Sequence, residues 1–304
     1  MMNIRFIYKV MAVAAVLLAC VACKESYITY HDDEYVMFAD TAKVYVVRED
    51  MVTFDVPIVS TVACDYDRSF AVEIIDASSD AVEGRDFVLE SPNFTIPAGE
   101  LVGHVTVRGN HDVLNPRSEA SFDLKLVMPD WLVMPLYGDK TTVHMKKTCK
   151  FDRANFTGWA VVTSLFLYQY SITGDYQRLV RTSADPDDEN TVIVHDMYAD
   201  GYDIKIRFDD ETDPVNPAVY TLPGQVVNEE GPVFGMVHGD NHILIESSNQ
   251  GMSYFFSCNK VAVLVDRFYV ENIGDEVGTV GHFMSEIDWV SDEEAERLKR
   301  EDGM

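Results

Sequence analysis

A chain of 304 residues, 47% hydrophobic and 11% aromatic, can bury two ordinary cores, which excludes global disorder. A formal charge of −27 excludes the basic surface that nucleic acid needs to release its counterions, and it opposes docking of the body on anionic lipid. That charge reads first as solubility through self-repulsion and second as attraction for cationic partners.

The chain opens with a short basic segment, Met1 to Lys9, followed by an apolar run, Val10 to Ala19. The run is too short for a spanning helix, which takes about 20 apolar residues, and its place and flanks suit an export signal. After it comes LLACVACKES, which resembles the lipobox of bacterial lipoproteins, where a cysteine following a small residue is acylated and becomes the mature N-terminus. The resemblance implies a signal peptide over 1–22, an acidic tether over 23–35, and a lipid anchor at Cys23 or Cys20. Cys20 has the better −3 and −1 residues; Cys23 stands at the apolar-to-polar junction. Acyl chains contribute about 0.8 kcal/mol per buried CH₂, so such an anchor holds a soluble body at a membrane. The expected location is the outer membrane at the cell surface, with a periplasm-facing anchor as the alternative.

Three of the five cysteines remain in the body, Cys64, Cys149 and Cys258. An odd number leaves at least one unpaired or all three free, and buried free thiols are the expectation. Their spacing is too wide for a zinc motif.

Alternation begins after the tether. Val52, Phe54, Val56 and Ile58 share one face, as do Val105 and Val107, and Phe122, Leu124 and Leu126. A period of two over short runs between turn residues marks half-buried antiparallel strands, here of a sandwich spanning 36–147. Two corners punctuate it. Pro97 and Gly99 in Ile96-Pro97-Ala98-Gly99-Glu100 suit a short hairpin loop, and Gly84 sits in Ala81-Val82-Glu83-Gly84-Arg85-Asp86-Phe87. These two motifs, a V-x-V strand and a final F-x-L-x-L strand together resemble a Calx-β domain, an immunoglobulin-like sandwich, as carried by Bacteroides-type surface lipoproteins. That family's calcium-binding members cluster acids at the loop ends. The matching positions are Glu83, Asp86 and Asp112, a candidate calcium site; the alternative is solvated loop acids. Asn110-His111-Asp112 stands where those members have paired aspartates, and Ca²⁺ prefers six to eight oxygens.

From 150 to 290 the texture stays β, with runs at Trp159 to Tyr170, Tyr202 to Phe208 and Val261 to Tyr269 among about eight or nine. A small antiparallel barrel, lipocalin-like in outline, or a second sandwich accommodates them. Gly158 and Trp159 are adjacent, so the lipocalin G-x-W opening is not met. If a barrel forms, its mouth offers a place for a small ligand, and Trp159, Phe166, Tyr168 and Tyr170 are either core packing or its lining. Trp159, Tyr168 and Tyr170 are the candidate ligand-binding residues. His238 and His242 stand four apart, a zinc spacing on a helix, but Gly239-Asp240-Asn241 between them makes a turn. The acidic runs Asp185 to Glu189 and Asp209 to Asp213 read as hairpin-loop chemistry, without the spacing of a calcium loop. Ser291 followed by Glu294 forms a capping box that starts a polar helical tail over 291–304, expected to be solvated and mobile.

The chain contains neither G-x-S-x-G, H-E-x-x-H, a P-loop nor a dinucleotide fingerprint. The expectation is an all-β, lipid-anchored, non-catalytic surface protein that binds a glycan, peptide or protein partner. Setting it beside glycan uptake follows from the lipoprotein resemblance alone. The alternatives are a structural or adhesion subunit of the envelope and a hydrolase with its site in the second domain.

Overall fold

Residues 33–170, 174–273 and 276–301 are described by a computed structural model. The candidate anchors Cys20 and Cys23 and the signal segment lie outside the described residues.

The alternating runs of the first domain become nine strands in two facing sheets. One sheet has the order β1 (Val36–Phe38), β3 (Thr53–Ser60), β7 (Val102–Gly109), β5 (Phe87–Leu89). The other runs β2 (Ala42–Val47), β9 (Lys140–Lys147), β8 (Ala120–Val127), β4 (Arg68–Ile74), β6 (Asn93–Ile96). β1 pairs antiparallel with β3, whereas β2 pairs parallel with β9, so the first extended run changes sheets between Phe38 and Ala42. The inward residues are those the alternation selects: Val56, Ile58, Val105, Val107, Phe122, Leu124 and Leu126 form one core. Phe87 stacks on Phe122 with centroids 3.8 Å apart, joining the two sheets through their aromatic faces. Both corners form as expected: Gly99 has φ 80° and the Glu100 N–H closes the turn on the Pro97 carbonyl at 3.0 Å, while Gly84 has φ 82°.

The second domain closes on itself. β10 (Gly158–Ser164), β11 (Gln177–Ala184), β12 (Thr191–Val194) and β13 (Ile204–Asp209) pair in succession. β14 (Ala218–Thr221) and β15 (Gln225–Glu229) are two pieces of one run, interrupted at Leu222-Pro223-Gly224, where proline lacks a ladder N–H. β16 (His242–Ser247) and β17 (Tyr254–Phe256) are also two pieces of one run, separated by Ser248 to Ser253, and both pair with β18 (Val261–Ile273). β19 (Glu276–Val290) pairs with β18 on one side and β10 on the other, which completes an antiparallel ring with eight strand positions. At the β14–β15 break, the Gln225 amide takes over the ladder, accepting from the Lys205 N–H at 2.7 Å and donating to its carbonyl at 3.0 Å.

An eight-stranded ring is just wide enough to be filled by side chains, and this one is filled. Phe156, Phe208, Phe255 and Trp289 pack one end, and Phe166, Tyr198 and Phe268 the other. Ile204, Ile206, Leu264 and Ile287 are fully buried with them. The expected ligand space inside the barrel is therefore corrected to a side-chain core.

Three further expectations change. The run from Trp159 to Tyr170 is not one strand: it ends at Ser164 and continues as a helix, α1 (Leu165–Tyr170). Phe166, Leu167 and Tyr170 all turn toward the core, a helical spacing, and the Ser164 hydroxyl accepts the Phe166 N–H at 3.1 Å. A second short helix, α2 (Glu230–Phe234), follows β15. The tail helix α3 (Asp292–Glu301) is capped as expected, with the Ser291 hydroxyl accepting the Glu294 N–H at 3.2 Å, but it is not free in solvent. Ala295 and Leu298 are buried, and Lys299 lies over the Trp159 ring at 3.8 Å. Cys149 and Cys258 form a disulfide, with Cα atoms 5.1 Å apart, and Cys64 alone is free among the described cysteines. The expectation of free thiols failed because their 109-residue separation hides how folding returns the β17–β18 turn to the linker.

Candidate functional site

Three loops meet where the barrel adjoins the sandwich: the linker from Lys150 to Thr157, the β11–β12 turn and the β13–β14 loop. They enclose a cleft of about 710 Å³ whose lining includes Phe151, Asp152, Arg153, Glu189, Asn190, Asp210 and Glu211. Phe151 is the one aromatic residue in that lining, and it stacks on the buried Phe208 at 4.6 Å.

The acidic runs build this site. Arg153 donates to the carbonyls of Asp185 and Asp188 at 2.9 and 3.2 Å, fastening the linker to the β11–β12 turn. The Asp185 carboxylate is buried and meets the Lys205 ammonium at 2.5 Å, which holds its pKa below the usual carboxylate range. Asp188 is held low chiefly by the Asn190 N–H and also by the Thr191 hydroxyl. Asp209 is held low by the Thr212 N–H and hydroxyl, the geometry of an aspartate turn. Asp210 accepts from the Phe151 N–H at 2.8 Å and from Arg48 of the sandwich at 3.5 Å, so it ties the linker and both domains together. What remains open toward solvent is a rim of Lys150, Asp152, Ala154, Ala184, Glu189 and Glu211, with Asn190 half-buried among them. Such a rim accepts hydrogen bonds from hydroxyl or ammonium groups.

The aromatic candidates are not gathered into one place. Trp159 lies on the outer face of β10, between the Arg181 guanidinium and the Lys299 ammonium, each 3.8 Å from its ring. Tyr170 packs into the barrel end against Phe234 and Phe283, at 5.5 and 5.9 Å. Tyr168 stacks on Tyr176 at 4.2 Å and 5°, and both residues are 51% exposed. Six residues at about 3.3 Å each put α1 roughly 20 Å from Trp159.

Nor are the calcium candidates brought together. Asp86 is buried, accepting from the Val82 N–H at 2.8 Å and pairing with Arg85 at 2.6 Å, while Glu83 is exposed and Asp112 projects into solvent. Among the described residues, the one group of three with ligand atoms within 4.8 Å of one another is Glu49, His111 and Cys149. His238 and His242 face different acids, Glu230 at 2.8 Å and Asp240 at 3.1 Å.

Sequence reasoning missed three buried ionisable residues, Arg68, Glu230 and Asp266. Arg68 is enclosed by Glu34, the Ser60 hydroxyl and the Val62 and Glu100 carbonyls, at 2.6 to 3.0 Å. Its position at the inward end of a FAVEI-type strand was the available signal. Asp266 interrupts the inward series Ala262, Leu264, Phe268, Val270, which marks it as interior. Burial pushes its carboxyl up to about 7, against a smaller downward pull from Thr221.

Fold and site together define a two-domain, all-β protein, a sandwich joined to a filled barrel, with a polar cleft at the junction. Residues 136–301, more than half of the chain, match the model of a protein family described as Domain of unknown function (DUF4984), and the chain belongs to that family. Among solved structures it is similar to the apo form of the Calx CBD1 domain, at 21% identity over 38% of this chain and 98% of that one, TM-score 0.31. It is also similar to a protein of unknown function from Bacteroides ovatus, at 11% identity over 83% and 90%, TM-score 0.35. A two-domain protein of unknown function from Bacteroides fragilis matches at 11% identity over 84% and 88%, TM-score 0.31. A search of curated proteins finds no match.

Proposed function

We propose that this is a non-catalytic, lipid-anchored surface protein that binds a polyhydroxylated ligand, a glycan, in the junction cleft. The observation that carries this reading is the filled barrel beside an open cleft: recognition falls to the loops, and they present carboxylates, an amide and the Phe151 ring. Ionised carboxylates accept from sugar hydroxyls, and an aromatic ring offers an apolar surface beside them. The shifted acids beside the cleft, Asp185, Asp188 and Asp209, are all held low by hydrogen bonds, the reverse of what a catalytic general acid needs. That speaks against the hydrolase reading. The anchor at Cys23 or Cys20 belongs to the same proposal and rests on the lipobox resemblance.

The test is thermal unfolding across a panel of oligosaccharides. A ligand at 100 times its dissociation constant adds about 2.7 kcal/mol, a shift of a few degrees for a chain of this size. The shift should vanish in Asn190→Ala/Glu211→Ala, whose side chains lie on the rim. A panel without any shift, or a shift that survives the double variant, removes the cleft as the site.

A second reading, attachment to a partner protein, rests on the exposed Tyr168–Tyr176 stack beside Leu165, itself 55% exposed. Loss of partner capture in Tyr168→Ala/Tyr176→Ala with the cleft intact would favour it.

A further inference from the structure

Four side chains from four distant stretches converge at the junction behind the cleft. Glu49 lies in the β2–β3 connection, His111 follows β7, Cys149 is in the linker, and Cys258 is in the β17–β18 turn of the barrel. His111 Nε2 is 4.0 Å from Cys149 Sγ and 3.6 Å from Glu49 Oε1. Glu49 is oriented by its other oxygen, which accepts the Lys150 N–H at 3.3 Å. A tetrahedral zinc ion with bonds of about 2.3 Å to sulfur and 2.0–2.1 Å to nitrogen or oxygen spaces neighbouring ligand atoms about 3.4–3.8 Å apart. The His111–Cys149 and His111–Glu49 separations are within about half an ångström of those edges.

We propose that these residues form a thiol-gated zinc site: a disulfide in the oxidised protein, and a Cys149–Cys258–His111–Glu49 tetrahedral zinc centre once that disulfide is reduced. In the oxidised state the two sulfurs are bonded to each other and neither is a thiolate, the form that ligates zinc. A dithiol reductant opens the bridge through a mixed disulfide, leaving as its own disulfide and delivering two thiols. Zinc then binds with release of the two thiol protons. His111 Nε2 now contacts the Thr148 carbonyl at 3.1 Å; in the zinc form it turns its lone pair to the metal and carries its proton on Nδ1, on the side of Asp112. Two ligands come from the sandwich, one from the linker and one from the barrel, so the metal replaces the covalent tie and adds the sandwich to it. The sequence spacing gave no sign of this, because each ligand lies on a different loop.

The experiment is cobalt titration of the full chain carrying Cys20→Ser, Cys23→Ser and Cys64→Ser, which leaves Cys149 and Cys258 as its only cysteines. After reduction and removal of the reductant under anaerobic conditions, one equivalent of Co²⁺ should give tetrahedral visible bands and thiolate-to-cobalt charge transfer, both erased by Zn²⁺. The oxidised chain should give neither. Cys258→Ser should roughly halve the charge-transfer intensity, and His111→Ala should weaken cobalt binding by more than about tenfold. The proposal is overturned by a reduced chain without tetrahedral bands, by equal binding in the oxidised chain, or by bands indifferent to both substitutions. Because both redox forms are the same polypeptide, misfolding of a variant does not decide the outcome.

Discussion

Phe166 lies face to face with Phe268, ring centroids 4.1 Å apart and planes 18° from parallel, and this contact seals one end of the barrel. Both rings are fully or almost fully buried. Phe166 reaches that position because β10 gives way to α1 at Ser164.

Phe166→Ala should therefore cost about 3–5 kcal/mol, the range for deleting a buried aromatic and leaving a cavity. Urea unfolding measures it. A loss below 1 kcal/mol would mean that α1 does not hold the ring in the core.

Asp266 makes stability pH-dependent in a stated direction. Its native pKa is about 7 against 3.8 for the free side chain, so well below pH 3.8 both states are protonated and it carries no penalty. Between pH 4 and 7 the unfolded chain ionises while the native protein retains the proton, and stability falls; above pH 7 the penalty is constant. That difference corresponds to roughly 4 kcal/mol. Asp266→Asn should be more stable than the parent at pH 8 by an amount that shrinks toward pH 4. A difference between the two that is flat with pH contradicts this.

The tail helix should behave as part of the barrel. Removing residues from 292 onward uncovers Trp159, which now lies beneath Lys299, and exposes the surface against which Ala295 and Leu298 pack. Tryptophan emission should move to the red and the chain lose about 2 kcal/mol, the low end for removing one buried leucine. Unchanged emission would return the tail to solvent.

Reduction of Cys149–Cys258 with metal chelated should lower stability by about 2–4 kcal/mol, because a 109-residue loop regains its freedom in the unfolded chain. Denaturation with and without reductant, in the Cys64→Ser background, reads it directly. Equal midpoints would show that the bridge contributes nothing.

Much of the architecture was legible. Period-two runs such as Phe122-Asp123-Leu124-Lys125-Leu126 state which face is inward, and Pro97-Ala98-Gly99 states where the chain turns, because both are local properties of the backbone. The same locality explains the errors. In Leu165 to Tyr170 every residue is apolar or bulky except Gln169, so a strand and a buried helix look alike until the barrel supplies something to pack against.

What the sequence by itself determined is the all-β class, the strand faces, the turns, the capped tail helix and the acidity of the loops. Each depends on neighbours within a few residues. Tertiary structure alone decided that the ring closes and fills, that Cys149 meets Cys258, and that the acidic runs meet the linker around a cleft. Those depend on contacts between residues tens to a hundred positions apart, whose encounter is set by strand registration and packing volume rather than by any local preference.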